Sequence, residues 1–222
     1  LAAYPPGKGD ITNMIRSYIH RCQKDGVKIV MNCEVTPELI KEEKPDSVII
    51  ATGSRTLILP IEGIDNPAII HGSDLLDGKR PAGKKVLVVG GGMVGCETAA
   101  FLGEQEHDVT VIEFRDTVGA DVIHEHRVYL MKDFEDYGIK EITGAKVCKF
   151  YEDGVEYETA DGVRHESRGY DSVILSMGFR NYNPLEEKIK DLVPETHVIG
   201  DAIRARRALD ATKEAYEVAS RI

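Results

Sequence analysis

The stretch KKVLVVGGGMVGCETAAFLGEQEHDVTVIEF, residues 84–114, limits the fold more than any other part of the chain. A Val-rich run ends in three consecutive glycines, a small-residue helical pattern follows, and a second apolar run closes on an acid. Strand, glycine turn, helix and strand in that order make a βαβ unit, whose two strands lie parallel in one sheet. The spacing Gly90-x-Gly92-x-x-Gly95 gives each glycine separate work. Gly90 allows the tight turn, Gly92 lets a ligand approach the backbone, and Gly95 lets the helix pack on the strand.

In that context the first amides of the helix, at Met93 and Val94, point toward a phosphate, which the helix N-terminus favours. Glu113 ends the second strand about 20 residues past the glycines, where a carboxylate accepts hydrogen bonds from ribose hydroxyls and repels a 2′-phosphate. The turn therefore reads as a dinucleotide site that prefers NADH to NADPH, with Gly91 and Phe114 counted among its neighbours. Arg115 is the opposing signal, since an arginine there accepts the extra phosphate. The plainer alternatives are a tight strand-to-helix corner and a surface ion pair between Glu113 and Arg115.

Bulk properties exclude other classes. A net charge of −10 disfavours nucleic acid and anionic membrane as partners. No apolar run reaches the roughly 18 residues of a membrane span. Cys22, Cys33, Cys96 and Cys148 form no CxxC pair, so neither a disulfide framework nor a zinc or iron–sulfur site is expected, and a reducing, cytoplasmic setting fits. His124 and His126 stand two apart on a helix and point to different sides, which argues against a shared metal.

Along the chain, residues 10–24 space Ile11, Met14, Ile15, Tyr18, Ile19 and Cys22 as an amphipathic helix with Asp10 as N-cap. VKIVM (27–31) reads as a short strand, 36–43 as a small helix and 47–51 as a buried strand. Strands follow at 85–89 and 109–113, helices at 93–104 and 122–136, and a short strand near Lys140. Two Asp-Gly turns, at 153–154 and 161–162, predict a three-stranded antiparallel meander. THVIGD and a helix from about Arg206 to Arg221 close the chain. Its Ala208, Ala211, Ala215 and Ala219 fall near one face, and packing is the expected role. PDSVIIATGS (45–54) and YDSVILSMGF (170–179) echo one another, which suggests two related nucleotide-binding lobes. RARR (204–207) is either a phosphate or interface contact, or a solvated helix start.

ATGS (51–54), VVGGGMVGCETA (88–99), the meander, SMGFR (176–180) and VIGDAIRARRALDA (198–211) occur in that order. The chain thereby resembles the two-dinucleotide-domain flavoprotein reductases. It is most similar to the C-terminal half of the old-yellow-enzyme-like NADH:flavin oxidoreductases, the group of 2,4-dienoyl-CoA reductase, 2-enoate reductase and trimethylamine dehydrogenase. The resemblance implies an α/β, Rossmann-like fold of two lobes, each a parallel sheet with helices and a β-meander crossover. Residues 1–78 and 169–222 would form an FAD-type lobe, and 79–168 an inserted NAD(P)-binding lobe.

It further implies that hydride passes from NADH to FAD, then to a 4Fe-4S cluster and an FMN-bearing barrel that reduces an enoate or dienoyl thioester. Ala51, Thr52 and Gly53 would lie near the flavin nucleotide, Gly200 and Asp201 on its ribityl chain, and Gly178 beside the nicotinamide nucleotide. Glu97, in the first turn of its helix, is either dipole stabilisation or a neighbour of nicotinamide and flavin. The family's first FAD fingerprint and barrel are expected ahead of Leu1. The outer lobe is accordingly expected to be truncated and the chain colourless, with self-association as a homo-oligomer or disorder near residues 1 to 10. A pyridine nucleotide–disulfide or ferredoxin reductase, and a non-catalytic ADP-binding module, are the alternatives.

Overall fold

The computed structural model describes residues 2–222. The chain divides into two compact units, residues up to Asp25 with Ile58–Gly178, and Gly26–Leu57 with Phe179–Ile222. In chain order the elements begin with α1 (Ile11–Lys24), α2 (Pro37–Glu43), β1 (Ser47–Ile50), β2 (Ser54–Thr56), β3 (Ile70–His71) and α3 (Gly72–Leu76). The βαβ unit follows as β4 (Lys85–Val89), α4 (Met93–Glu104) and β5 (Asp108–Ile112), then α5 (His124–Asp136) and β6 (Lys140–Ile142). The meander is β7 (Lys146–Tyr151), β8 (Gly154–Glu158) and β9 (Arg164–Ser167). Last come β10 (Ser172–Leu175), β11 (Phe179–Asn181), α6 (Glu186–Ile189), β12 (Glu195–Val198), a 3₁₀ turn at Gly200–Ala202 and α7 (Ala208–Ala219).

The first unit is built on a five-stranded sheet of order β3-β10-β4-β5-β6, parallel throughout. Alternate side chains of its strands feed two cores, as the pleat requires. Val86, Val88, Val109, Val111 and Ile174 pack with Ala99 and Leu102 of α4 and with Leu130 and Phe134 of α5. Leu87, Val89, Ile112, Val173 and Leu175 join Phe150 and Val155 of the meander. Helices thus cover one face and the meander the other. Each fully buried Val or Leu contributes roughly 1.5–3 kcal/mol.

Two expectations change here. The sequence reading assigns residues 169–222 to the outer lobe, but β10 lies between β3 and β4, and the compact units divide at 57/58 and 178/179. Its apolar side chains supply both cores, which draws the strand into this sheet. Among the described residues the one three-stranded meander also belongs to this unit, so the lobes do not each carry one.

The second unit holds two small sheets. β1 and β12 pair in parallel, Ser47 opposite Glu195 and Ile50 opposite Val198. β2 and β11 form a short antiparallel ribbon that sets Arg55 against Arg180. Ile40, Ile50, Leu185, Ile189 and Val193 make the core. In α2, Pro37 opens the helix and Thr36 Oγ1 accepts the Leu39 N–H at 3.3 Å, a cap with preset φ.

The amphipathic α1 forms where its spacing predicts, yet none of its residues is buried. Asp10 stands at the N-cap position without capping the backbone, its carboxylate accepting from the Asn13 side-chain amide instead. VKIVM (27–31) forms no strand, and its apolar side chains are exposed. A β-prone run needs a neighbouring ladder, and the described residues provide none for it. α7 has no fully buried residue. Ala211 lies near Gly200, while Ala208 and Ala219 are exposed.

Candidate functional site

The glycine turn closes only where no Cβ is present to collide. Gly90 has φ +106, and a Cβ on it would lie 2.4 Å from the Ser176 carbonyl oxygen. A Cβ on Gly95 would lie 1.8 Å from the Gly90 carbonyl oxygen, so α4 can approach β4 only because Gly95 has none. Gly92 is the N-cap of α4, in extended conformation and without a side chain to cap the helix. Gly92 therefore leaves the first backbone donors of the helix to partners from elsewhere in the chain.

Glu113 binds this turn directly. Its Oε2 accepts the Gly91 N–H at 2.6 Å and its Oε1 accepts the Arg115 N–H at 2.9 Å. The carboxylate is thus held beside the glycines by two backbone donors, with lone pairs to spare for further donors. Glu113 and Arg115 meet through the Arg115 backbone N–H, not through the side-chain ion pair of the plainer alternative. Phe114 is 69% exposed next to them. Behind the turn, Cys96 donates its thiol to the Gly91 carbonyl, and burial pushes the thiol up to about 12, which keeps it protonated and inert.

Glu97 is a fifth-position residue of α4, in the second turn rather than the first, so the helix dipole does not account for it. It is 7% exposed, and its Oε1 accepts from Lys8 Nζ, with His126 Nε2 at 3.7 Å. Neither partner follows from local spacing. Asp121 is a further unforeseen neighbour, its Oδ1 accepting the Met93 N–H at 2.9 Å. Val94 follows Met93 in the same first turn. Gly178 has φ +98, with open space where a Cβ would stand.

In the second unit, Thr52 donates through its hydroxyl to the Tyr182 carbonyl, and the Tyr182 N–H donates to the Gly53 carbonyl at 3.0 Å. These bonds fix the turn after Ala51, where Gly53 has φ +76. Asp201 accepts from Ser54 Oγ at 3.1 Å and from the Arg206 N–H at 3.0 Å. The Gly200 N–H donates to Glu214 Oε2 at 2.7 Å, and Arg206 pairs with the same carboxylate. Arg206 of RARR is therefore spent on Glu214, and Arg207 is the N-cap residue of α7. Two neighbourhoods result: Gly90 to Gly95 with Glu113 in the first unit, and Ala51 to Gly53 with Gly200 and Asp201 in the second. Among the described residues no group of three or more metal-ligating side chains gathers, and no helix is long and apolar enough to cross a membrane.

Residues 8–196 match the family described as pyridine nucleotide-disulphide oxidoreductase. The chain is 30% identical over 221 residues to a cinnamate reductase of Clostridium sporogenes, covering 98% of this chain and 33% of the relative. It is 31% identical over 228 residues to an NADH oxidase of Thermoanaerobacter brockii, covering 100% of this chain and 35% of the relative. A solved 2-naphthoyl-CoA reductase complex superposes on all of this chain and on 34% of its own, with a TM-score of 0.92 at 30% identity. The chain spans about a third of the length of the curated relatives it matches.

Proposed function

Because the chain belongs to the pyridine nucleotide-disulphide oxidoreductase family, a group of flavin-dependent oxidoreductases, we propose that its first unit binds NADH for the reduction of FAD. Gly90, Gly91, Gly92 and Gly95 receive the pyrophosphate beside the Met93 and Val94 amides, and Glu113 takes the adenosine ribose hydroxyls. The observation that carries this reading is the Glu113 carboxylate, held at the glycine turn by the Gly91 and Arg115 N–H groups. A carboxylate so fixed favours NADH over NADPH. The Ile58–Gly178 segment of the first unit, which carries β3 and β10 as well as the βαβ unit, is its NAD(P)-binding lobe.

FAD is assigned to Ala51, Thr52, Gly53, Gly200 and Asp201 of the second unit, Gly26–Leu57 with Phe179–Ile222. The fit rests on Gly53 and Gly200, both at positive φ, and on Asp201, which keeps lone pairs beyond its two internal donors. Bound NADH supplies the hydride that FAD accepts. Gly178 flanks the nicotinamide nucleotide, and Glu97 with Lys8 forms a partly buried ion pair proposed to lie near the exchange. On this reading the whole protein is an old-yellow-enzyme-like, cytoplasmic reductase. A 4Fe-4S cluster and FMN then lie on residues other than these 222, as does the site for an enoate or dienoyl thioester. Support for that substrate class comes from the names of the cinnamate and 2-naphthoyl-CoA reductases.

Titration of the chain with NADH and NADPH tests the cofactor choice. NADH is expected to bind roughly fivefold to a hundredfold more tightly, from one charge conflict at a 2′-phosphate on the order of 1–3 kcal/mol. Tighter NADPH binding would make Arg115 the deciding residue. A non-catalytic ADP-binding module shares the glycine turn. Bleaching of the flavin band when NADH meets the whole protein separates the two.

A further inference from the structure

The loop between β5 and α5 places an acid on the donor that the proposed ligand needs. Asp121 Oδ1 accepts the Met93 N–H at 2.9 Å, and Met93 is the first residue of α4, where backbone donors have no partner within the helix. A Cβ built on Gly92 would lie 3.3 Å from Asp121 Oδ2 and 3.5 Å from Oδ1. Both carboxylate oxygens therefore stand over the bare face of the glycine whose missing side chain admits a pyrophosphate.

The loop itself is anchored to the turn. The Gly119 N–H donates to the Gly91 carbonyl at 2.7 Å, Val118 is fully buried, and Arg127 Nη2 donates to the Val118 carbonyl at 3.2 Å and to Thr117 Oγ1 at 2.9 Å. Asp121 is solvent-exposed at the end of this anchored segment.

We propose that Asp121 is an internal competitor for the dinucleotide pyrophosphate and so sets how tightly the site holds any phosphate-bearing ligand. The proposal rests on the reading that the glycine turn binds a dinucleotide. Binding exchanges one anion for another at the Met93 N–H, because two negative groups cannot share that donor without repulsion. The two acids of the site then have separate tasks. Glu113 discriminates at the ribose, and Asp121 weakens attachment at the pyrophosphate without regard to the 2′ position. A site tuned in this way satisfies its own helix end when empty and releases spent nucleotide readily.

The test compares the full chain with Asp121→Asn and Asp121→Ala, titrating each with NADH, NADPH and ADP. Asn removes the charge and keeps an acceptor for the Met93 N–H, whereas Ala removes both. Both variants are expected to bind NADH and ADP about fivefold to tenfold more tightly than the unaltered chain, the scale of one charge at a helix end. The NADH-to-NADPH preference should stay constant. Unchanged binding by Asn together with weaker binding and a lower melting temperature for Ala would overturn the proposal and leave Asp121 as a helix cap. A changed NADH-to-NADPH preference would overturn it too, because the acid would then act at the ribose. If the unaltered chain and both variants all fail to bind NADH and ADP, the dinucleotide reading falls and the inference with it.

Discussion

β1 and β10 carry nearly the same residues, Ser-Val-Ile-Ile at 47–50 and Ser-Val-Ile-Leu at 172–175, and lie in different units. Each is followed by two residues and a glycine at positive φ, Gly53 at +76 and Gly178 at +98. All four residues of β10 are buried, because β3 and β4 flank it and a core lies on either face. In β1 only Ile50 is buried and Ile49 is 39% exposed, with β12 as its sole partner among the described residues. Local sequence selects the strand in both places. Position in the sheet decides what the strand is worth.

Truncating the equivalent isoleucines gives the largest expected contrast. Ile174→Ala empties a site with no exposure and should cost about 2–5 kcal/mol. Ile49→Ala should stay within about 0.5 kcal/mol, as surface changes do. Urea unfolding of both variants measures this, and equal losses would break the comparison.

A second contrast lies in pH. Cys96, in the first unit, has a folded value of about 12 against an ordinary 9.0 because burial penalises the thiolate. Between those values the unfolded chain releases a proton that the folded chain keeps, so stability falls as pH rises from about 9 toward 12. The slope approaches roughly 1.4 kcal/mol per pH unit. Melting temperatures across that range should decline less steeply in Cys96→Ala than in the unaltered chain.

The paired glycines sharpen the likeness. A Cβ at Gly53 or at Gly178 meets nothing within 4 Å, so only the left-handed backbone opposes alanine. Each Gly→Ala change should cost about 1–2 kcal/mol, and by a similar amount in both units. A much larger loss at one site would reveal crowding there.

The smallest expected effect is acid-sided. Glu214, in the second unit, is held below the ordinary glutamate value of 4.5 by its bond with Arg206 and by the Gly200 N–H. A lowered carboxylate contributes stability above 4.5 and loses it as pH falls through its folded value. Glu214→Gln should leave the turn at Gly200 less sensitive to acid, readable as a flatter pH dependence of amide exchange at Gly200.

What the sequence made legible is what short-range physics decides. The glycine turn, α4 and the meander follow from glycine spacing, a small-residue helix pattern and two Asp-Gly turns, all within a few residues of their effects. The strand expected at 27–31 fails because an apolar, β-prone run is not enough without a neighbouring ladder, and the described residues pair none with it. The contacts of Glu97 were hidden for a related reason, since Lys8 lies 89 positions away and only the assembled unit brings them together. Asp121 meets Met93 across 28 positions of intervening chain, a closeness that no motif encodes.

The place of β10 also governs the order in which the protein can assemble during synthesis. β4 is made before the strand that covers one of its edges, β10, which pairs Ser172 with Val86 and Leu175 with Val89. A ribosome adding about 5–20 residues per second needs on the order of ten seconds to cross that interval. Throughout it one edge of an apolar strand has no native neighbour, and edges of that kind recruit other chains. Nascent-chain aggregation should therefore peak for arrest points after β6 and before β10, and subside once Leu175 has cleared the exit tunnel.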